Sequence, residues 1–351
     1  MPARYTFFCR QVNKHMKHII SIILMATIAL PAFAATGGKR GTSGAQELLI
    51  PVGGRGTALG GSMIANVYGA EALYWNPAGI AQSPKQFDIL FFHQNHLYDI
   101  AHVFTGFTAQ IGEAGTIGLQ VKYLDVGKIP VTTIDQPNGT GATYSPSFIT
   151  YGISFARNFT DMITLGATAK LVTEKVMEAS AVGFAFDVGL QYKTGVEGLL
   201  LGFVIQNIGD NMRFDGESLN EPNTLYPRRT FLASFPLPTT IQIGISYDYR
   251  LSDVNTIVMN GKVQSNSFDT DQYVTGIEYN YNNQLYVRGS YEFHGDAQTD
   301  PFGTSMFTYN FALGAGVRIQ PTEETEVTFE YAFRNSDTFA GNHSFGIKIS
   351  L

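Results

Sequence analysis

The feature that most constrains the fold is a long alternation of apolar residues with small or polar ones. Between residues 182 and 192 every second residue is apolar, and the residues between them are glycine, alanine, aspartate or glutamine. The same pattern recurs at 117–123, 163–171, 307–319 and 327–334. Successive side chains of a β-strand point to opposite faces, so this period of two predicts strands with one apolar face and one small or polar face.

The length of these segments separates two all-β architectures. Strands of soluble sandwiches average about 5–6 residues, whereas a tilted strand that crosses a membrane needs about 9–11. The segments here run for about 10–15 residues. Apolar outward and polar inward, in units of this length, is typical of a transmembrane β-barrel. We predict fourteen strands near 86–95, 101–111, 115–125, 145–158, 161–175, 180–194, 198–209, 238–250, 254–265, 271–281, 284–294, 306–319, 325–334 and 341–351.

The connections between these segments alternate in length. Short ones lie at 112–115, 158–161, 194–198, 251–253, 282–283 and 320–324, and the longest of the others are 126–144, 209–237 and 295–305. Short periplasmic turns alternating with longer external loops are expected of a barrel in the outer membrane. The final "HSFGIKISL" alternates as far as Leu351, so we expect it to pair with the first strand, because a sheet in lipid can leave no open edge.

The first 34 residues have the pattern of a secretory signal peptide, with Met16 as an alternative start. Lys17 and His18 precede an apolar run, and Ala-Phe-Ala ends at Ala34. Without this peptide the chain has 19 Lys and Arg against 29 Asp and Glu, a net charge of −10, which argues against a nucleic-acid partner. Its only cysteine, Cys9, is also removed, which leaves no disulfide and no thiol nucleophile.

Residues 35–85 do not alternate, and we predict that they form an N-terminal plug, or hatch, in front of a barrel spanning 86–351. They are rich in Gly and Ala, with short helical pieces at most, and they contain the only tryptophan, Trp75. The Gly53-Gly-Arg-Gly stretch lacks the Gly-Lys-Ser/Thr of a phosphate-binding loop. Because a barrel of fourteen strands is wider than one that its own side chains fill, a segment of small residues can occupy the lumen.

The segment "VGGRGTALGGSMIANVYGAEALYWNPAGIA" resembles the N-terminal signature of the PorV/PorQ family of outer-membrane proteins, within the wider FadL-like barrel group. The later stretches "GIEYNYNNQLYVRGSYEF" and "FALGAGVRIQ" resemble strands of the same family. In FadL-like proteins an Asn-Pro-Ala motif belongs to the hatch, and PorV-type members take part in type IX secretion. The resemblance therefore implies hatch roles for Trp75, Asn76, Pro77, Ala78 and Gly79, and protein export as the function.

Two further sets of residues are candidates for function. Charges at lumen-facing positions of the strands either pair to stiffen the wall and hold the plug, or form a binding surface or permeation path. They are Lys122, Lys170, Asp187, Lys193, Glu278, Arg288, Arg318 and Glu330. Apolar residues in the external loop 209–237 are predicted to form a lid or a partner surface. They are Phe214, Leu225, Tyr226, Phe231 and Phe235.

No pattern indicates catalysis or a metal. His93, His96 and Asp99 fall near the first loop, and no further ligands join them, so we interpret them as solvated residues. We expect no cofactor and no enzymatic activity. The first hypothesis is an outer-membrane barrel, in contact with lipid, that binds cargo or translocon proteins of a secretion system. The alternative is a FadL-like channel for the uptake or export of hydrophobic small molecules.

Overall fold

The computed structural model describes residues 41–95, 100–216, 219–221, 228–229, 232–294, 310–336 and 341–351, and the predicted signal peptide lies outside them. Fourteen long antiparallel strands form one sheet. They are β1 Phe87–Asn95, β2 Ala101–Gln110, β3 Thr116–Asp125, β4 Ser147–Asn158, β5 Ile163–Val176, β6 Ala179–Lys193, β7 Leu199–Gly209, β8 Thr240–Ser252, β9 Asn255–Asn266, β10 Gln272–Tyr281, β11 Leu285–His294, β12 Phe311–Ile319, β13 Glu326–Arg334 and β14 Asn342–Ser350.

The sheet closes on itself. Each strand pairs with the next one along the chain, and β1 pairs with β14 from Asp88 opposite Ser350 to Asn95 opposite His343. Where β1 begins, the Leu351 amide donates to the Phe87 carbonyl at 2.8 Å, and the Phe87 amide donates to the Leu351 carbonyl at 2.9 Å. The predicted all-β fold, its strand count and its closure between the first and last strands are thereby confirmed.

The outer face of the ring is apolar and the inner face is polar. On β6, Val182 and Phe184 are 57% and 63% exposed, whereas Asp187 on the opposite face is fully buried. A soluble protein has the reverse arrangement, since burial of apolar surface drives its folding. The exposed apolar face is therefore the surface that meets lipid, and the chain is a transmembrane β-barrel. Among the described residues, no helix has the length and the apolar character needed to cross a bilayer.

The ring has one irregular place, between β6 and β7. The register shifts between Phe186 and Val188, and Asn207 on β7 adopts a left-handed conformation with φ of 58°. The Asn207 amide donates to Asp187 Oδ1 at 2.8 Å, so a side chain replaces the missing backbone partner. Three short strand pairs lie outside the ring's main ladder: Ile129–Pro130 with Thr143–Tyr144, Asn220–Glu221 with Arg228–Arg229, and Asp215–Gly216 with the start of β6.

Residues 41–86, called here the N-terminal segment, precede β1 and contain only short helical turns. The turns are Gln46–Leu49, Gly54–Ala58, Ser62–Ala65, Gly69–Glu71, Ala72–Trp75 and Pro77–Gln82. The segment runs the length of the lumen. Near its start the Gly44 amide donates to the Pro236 carbonyl, beside the long loop, and near its end Lys85 Nζ donates to the carbonyl of Glu324, in a short turn. We call these two ends of the barrel the long-loop end and the short-turn end.

Candidate functional site

The N-terminal segment lies inside the ring of strands. Its helical turns contact every one of the fourteen strands, which is possible only for a segment that the sheet surrounds. Most of its apolar side chains are buried, and Leu59, Met63, Ile64 and Leu73 are fully inaccessible to solvent. They form one cluster with Leu90, Phe92, Phe104 and Val204 of the wall. The lumen of this barrel is therefore occupied by its own chain.

The Trp-Asn-Pro-Ala-Gly motif forms the centre of this packing. Trp75 Nε1 donates to the Val52 carbonyl at 2.8 Å, and its ring meets the Tyr74 ring edge-on at 4.8 Å. The Asn76 side chain is fully buried and donates to the carbonyls of Ile64 at 2.8 Å and Leu190 at 3.2 Å. Asn76 therefore links the N-terminal segment to strand β6.

Asn76 also starts the last helical turn. It is extended, with φ of −157°, and its Oδ1 accepts from the Ala78 amide at 3.1 Å, while Pro77 occupies the first position of the turn. Asn and Pro are favoured at these positions because the side chain caps a free amide and proline has no amide to satisfy. Pro77, Ala78 and Gly79 are all buried. Trp75 and the turn Pro77–Gln82 thus fix the path of the chain through the part of the lumen that leads to the short-turn end.

One side of the lumen meets this turn through glycines. A Cβ at Gly189 would contact Asn76 and Pro77, one at Gly166 would contact the Pro77 backbone, and one at Gly118 would contact Leu73. Glycine at these positions lets the N-terminal segment approach the wall closely. We call the wall formed by β3 to β6 around these three residues the glycine side.

The opposite side of the lumen meets the segment through charges. Arg55 Nε and Arg288 Nε both donate to Glu278 Oε2, at 2.9 and 2.5 Å. Arg288 Nη1 donates to Glu330 Oε1 at 3.0 Å, and Glu330 Oε2 accepts from the Arg55 amide at 3.0 Å. Burial lowers the pKa of Arg55, but Glu278 outweighs it and holds that pKa above its usual value. We call the wall of β10, β11 and β13 around this network the charged side.

Glu71 completes the charged side from within the N-terminal segment. Its Oε1 accepts from the Gly56 amide at 2.8 Å. Burial and the neighbouring Glu330 raise the pKa of Glu71 to about 7, although Arg55 and the Gly56 amide oppose this shift. Neither Arg55 nor Glu71 was a predicted site residue. The only sequence signal for Arg55 was its position among glycines, which places one charge in a segment built for close packing.

The remaining predicted lumen charges have distinct surroundings. Lys122 is buried and donates to the carbonyls of Leu48 and Ile50 at 3.1 and 2.7 Å. Lys170 Nζ lies 2.5 Å from Asp187 Oδ2, next to the irregular place in the wall. Lys193 has the inward position expected from the alternation, but it lies at the end of β6 and is exposed. It therefore belongs to the short-turn rim.

Part of the predicted apolar loop packs over the start of the N-terminal segment. Met212 and Phe235 exchange backbone hydrogen bonds of 2.9 and 2.8 Å, and the rings of Phe214 and Phe235 lie 5.9 Å apart. Together with Ala45 and Leu48 they form the apolar cluster at the long-loop end, which also contains Val172, Ala181, Ala185 and Leu237. Leu225, Tyr226 and Phe231 lie outside the described residues.

A cavity remains at the short-turn end. A cavity of about 270 Å³, called here the vestibule, lies between the N-terminal segment and the charged side. Its charged lining residues are Arg55, Glu71, Asp248, Glu278, Arg288, Arg318, Glu330 and Lys348. A smaller cavity of about 90 Å³ adjoins it at Asn66 and Tyr68.

No metal site forms among the residues that the structure describes. His93 Nε2 lies 2.9 Å from Asn95 Oδ1, while His96 and Asp99 lie outside the described residues.

The closed ring with its enclosed N-terminal segment defines the class as a fourteen-stranded transmembrane β-barrel. Among solved structures, the chain is similar to the CymD monoaromatic hydrocarbon channel, with 14% identity, a TM-score of 0.55, and coverage of 86% of this chain and 97% of that one. For the Pseudomonas putida toluene transporter TodX the values are 13%, 0.52, 85% and 97%. For a Pseudomonas aeruginosa FadL homologue they are 12%, 0.51, 86% and 98%.

At these identities the similarity concerns the fold. It supports the FadL-like group that the sequence resemblance implied. The names of the first two proteins describe a channel and a transporter. It gives no support to the narrower PorV/PorQ resemblance, which stays a prediction. No family model matches the chain, and no curated protein matches it.

Proposed function

We propose that the protein is a channel of the outer membrane that carries small hydrophobic molecules, with the N-terminal segment as its movable plug. The observation that carries this proposal is the occupied lumen: a segment fills the ring, and its described contacts with the wall are hydrogen bonds, ion pairs and packing. Such contacts break and re-form without any change in covalent structure. The similar solved structures named for hydrocarbons and toluene support the class of molecule carried.

The long-loop end supplies an entry site of suitable chemistry. Met212, Phe214 and Phe235 meet Ala45 and Leu48 there, so the loop and the start of the N-terminal segment share one apolar cluster. A hydrophobic molecule that enters this cluster replaces contacts between the loop and the segment with contacts to itself. Entry of the molecule is in this way linked to loosening of the segment. Nothing in the described residues favours the protein-export hypothesis over this proposal.

The proposal is tested by fastening the N-terminal segment to the wall. A Cβ at Gly60 would lie 3.6 Å from the Ser290 Cβ, within the range of about 3.5–4.5 Å found in disulfides. The double variant Gly60→Cys/Ser290→Cys therefore places a reducible link between the segment and β11. The new side chain at Gly60 also approaches Val274 Cγ1 to 2.8 Å, and the φ of 58° there favours glycine, but this strain is the same in both redox states. The only native cysteine is Cys9, in the predicted signal peptide, so the mature protein has no competing thiol.

The measurement is uptake of the hydrophobic dye N-phenyl-1-naphthylamine by Gram-negative cells that produce the protein. We expect uptake above that of cells without the protein, a loss of this gain when the link is oxidised, and its return on reduction. The same variant before and after reduction is the matched control, since its sequence and abundance are identical. Uptake equal to that of cells without the protein, or equal uptake in both redox states, would rule out the proposal.

A further inference from the structure

The vestibule at the short-turn end differs in chemistry from the apolar cluster at the long-loop end. Its volume of about 270 Å³ is several times the ~30 Å³ share of one water molecule. It is large enough for a small organic acid or a phosphate ion with its water. Arginine, lysine and tyrosine line it, so its surface is suited to a polar guest rather than a hydrocarbon.

Two of the four cations that line the vestibule are neutralised by close ion pairs. Arg55 lies 2.9 Å from Glu278, and Arg288 lies 2.5 Å from Glu278 and 3.0 Å from Glu330. These are the distances of strong charge-assisted hydrogen bonds. The two carboxylates are thus committed to the two arginines, and among the described residues neither forms an ion pair with Arg318 or Lys348.

The other two cations are paired loosely. Arg318 Nη1 lies 3.5 Å from Glu326, and Lys348 Nζ lies 3.8 Å from Asp88. Both distances exceed the ~2.7–2.9 Å of a close charged hydrogen bond. Arg318 Nε is buried and has no partner among the described residues. Arg318 and Lys348 therefore keep much of their capacity to bind an anion.

The two remaining acids of the lining do not cancel these charges. Glu71 is engaged with the Gly56 amide, and its pKa of about 7 leaves it partly neutral near neutral pH. Asp248 stands on β8 and is exposed, so water screens its charge.

The two loosely paired cations both contact Tyr68. Arg318 Nη2 donates to its hydroxyl oxygen at 2.9 Å, and Lys348 Nζ lies 4.1 Å from the centre of its ring. Burial raises the pKa of the Tyr68 hydroxyl, but Lys348, Arg318 and Arg55 outweigh it and bring that pKa below its usual value. An arginine, a lysine and a phenol hydroxyl thus converge on one corner of the vestibule.

We propose that this corner is a binding site for a small oxyanion, a carboxylate, sulfate or phosphate group, held by Arg318, Lys348 and Tyr68. The planar guanidinium suits the two oxygens of such a group, the ammonium supplies a point charge, and the phenol supplies a further donor. The site does not depend on the transport function proposed above. Its test is made on the isolated protein, so the failure of one proposal leaves the other standing.

The test is calorimetric titration of the mature protein, in a non-ionic detergent and a Tris buffer of low ionic strength. Sodium phosphate, sodium acetate and sodium chloride are the probes. We expect saturable binding of phosphate and acetate and weaker binding of chloride. Because each of Arg318→Gln and Lys348→Gln removes one charged contact, each is expected to weaken phosphate binding about tenfold.

Arg157→Gln is the matched control, since it removes one positive charge from an exposed position at the same end of the barrel. Circular dichroism verifies that each variant retains its sheet. A second measurement follows tyrosinate absorbance against pH in the wild type and in Tyr68→Phe. Bound phosphate should move the Tyr68 transition to higher pH. Absence of saturable phosphate binding, equal weakening by Arg157→Gln, or equal binding of chloride would overturn the site.

Discussion

The glycine side and the charged side of the lumen hold the same segment by opposite means. At Gly189 and Gly166 the wall has no side chain, and the backbone of Asn76 and Pro77 lies directly against it. On the charged side, Glu278, Arg288 and Glu330 reach inward and bind Arg55. Around the turn Pro77–Gln82 the fit depends on the absence of side chains from the wall, and around Arg55 it depends on charge.

This difference determines what each side tolerates. The glycine side is sensitive to added volume, because close-packed surfaces cannot absorb an extra group without displacement. The charged side is sensitive to removal of one partner, because the charge left behind is buried without compensation. In the channel proposed above, the glycine side sets the position of the segment, and the charged side sets the free energy needed to leave that position.

The largest effect is expected from Glu278→Ala. This change leaves Arg55 and Arg288 buried without their shared carboxylate, and the loss of one partner from a buried ion pair costs about 3–5 kcal/mol. The measurement is the urea concentration at which the barrel unfolds from lipid vesicles. Glu113→Ala, in the exposed turn Gly112–Ala114, is the control and should change stability by no more than about 0.5 kcal/mol. Equal midpoints for the two variants would show that the network is not stabilising.

A smaller effect is expected from Gly189→Ala on the glycine side. The new methyl group would meet Asn76, and it would lie 2.9 Å from Pro77 Cδ, so the turn must shift, at a cost of about 1–3 kcal/mol. Trp75 adjoins this turn and is the only tryptophan of the chain, so quenching of its fluorescence by acrylamide reports the displacement. We expect stronger quenching than in the wild type.

Gly195→Ala is the control for Gly189→Ala. Gly195 lies in a short turn, and a Cβ there has no atom within 4 Å, so its quenching should match that of the wild type. If the two alanine variants give the same quenching, close approach at Gly189 is not what positions the turn.

The smallest effect is expected from pH, through Glu71. Its pKa of about 7 in the folded protein exceeds the ordinary value of 4.5, so folding favours the protonated form. The resulting stabilisation is complete below about pH 4.5 and is lost as the pH rises through 7. The value of about 7 already includes the opposing influence of Arg55 and the Gly56 amide, and the effect is ranked last because ionisation of Glu71 adds and removes no packing contact.

Acrylamide quenching of Trp75 between pH 5 and pH 8 measures this effect. We expect quenching to increase with pH in the wild type and to change less in Glu71→Gln, which keeps the shape of the side chain and cannot lose a proton. If quenching changes equally with pH in the two proteins, ionisation of Glu71 does not control how closely the segment packs against the wall.

The barrel was predictable because its determinants are local. Alternation states which residues face lipid, so the inward positions of Lys122, Asp187 and Arg288 follow from their parity within a strand. Each of the fourteen predicted segments matches one strand to within two residues at its ends, except at the start of the twelfth, where residues 306–309 lie outside the described residues and the strand begins at Phe311. Lys193 shows the limit of parity, because alternation does not say where a strand leaves the lumen.

The contacts inside the lumen were not predictable in the same way. Glu278 and Arg288 face each other on adjacent strands, but their link to Arg55 crosses 223 positions of sequence to Glu278. Such a contact depends on how an irregular segment folds within a closed ring, and no period of the sequence records it. Glu71 was missed for the same reason, since its buried environment comes from the Gly56 amide and the distant Glu330.

The path of the N-terminal segment through the lumen has a consequence for the order of assembly. A ring that closed first would require residues 41–86 to thread between its ends, past the loops and against Gly189 and Arg288. If the segment instead settles on the curved, open sheet, no threading is needed. The seam between β1 and β14 is then the last interface to form. The other strands are already packed on the segment, which holds β1 and β14 near each other while their hydrogen bonds form.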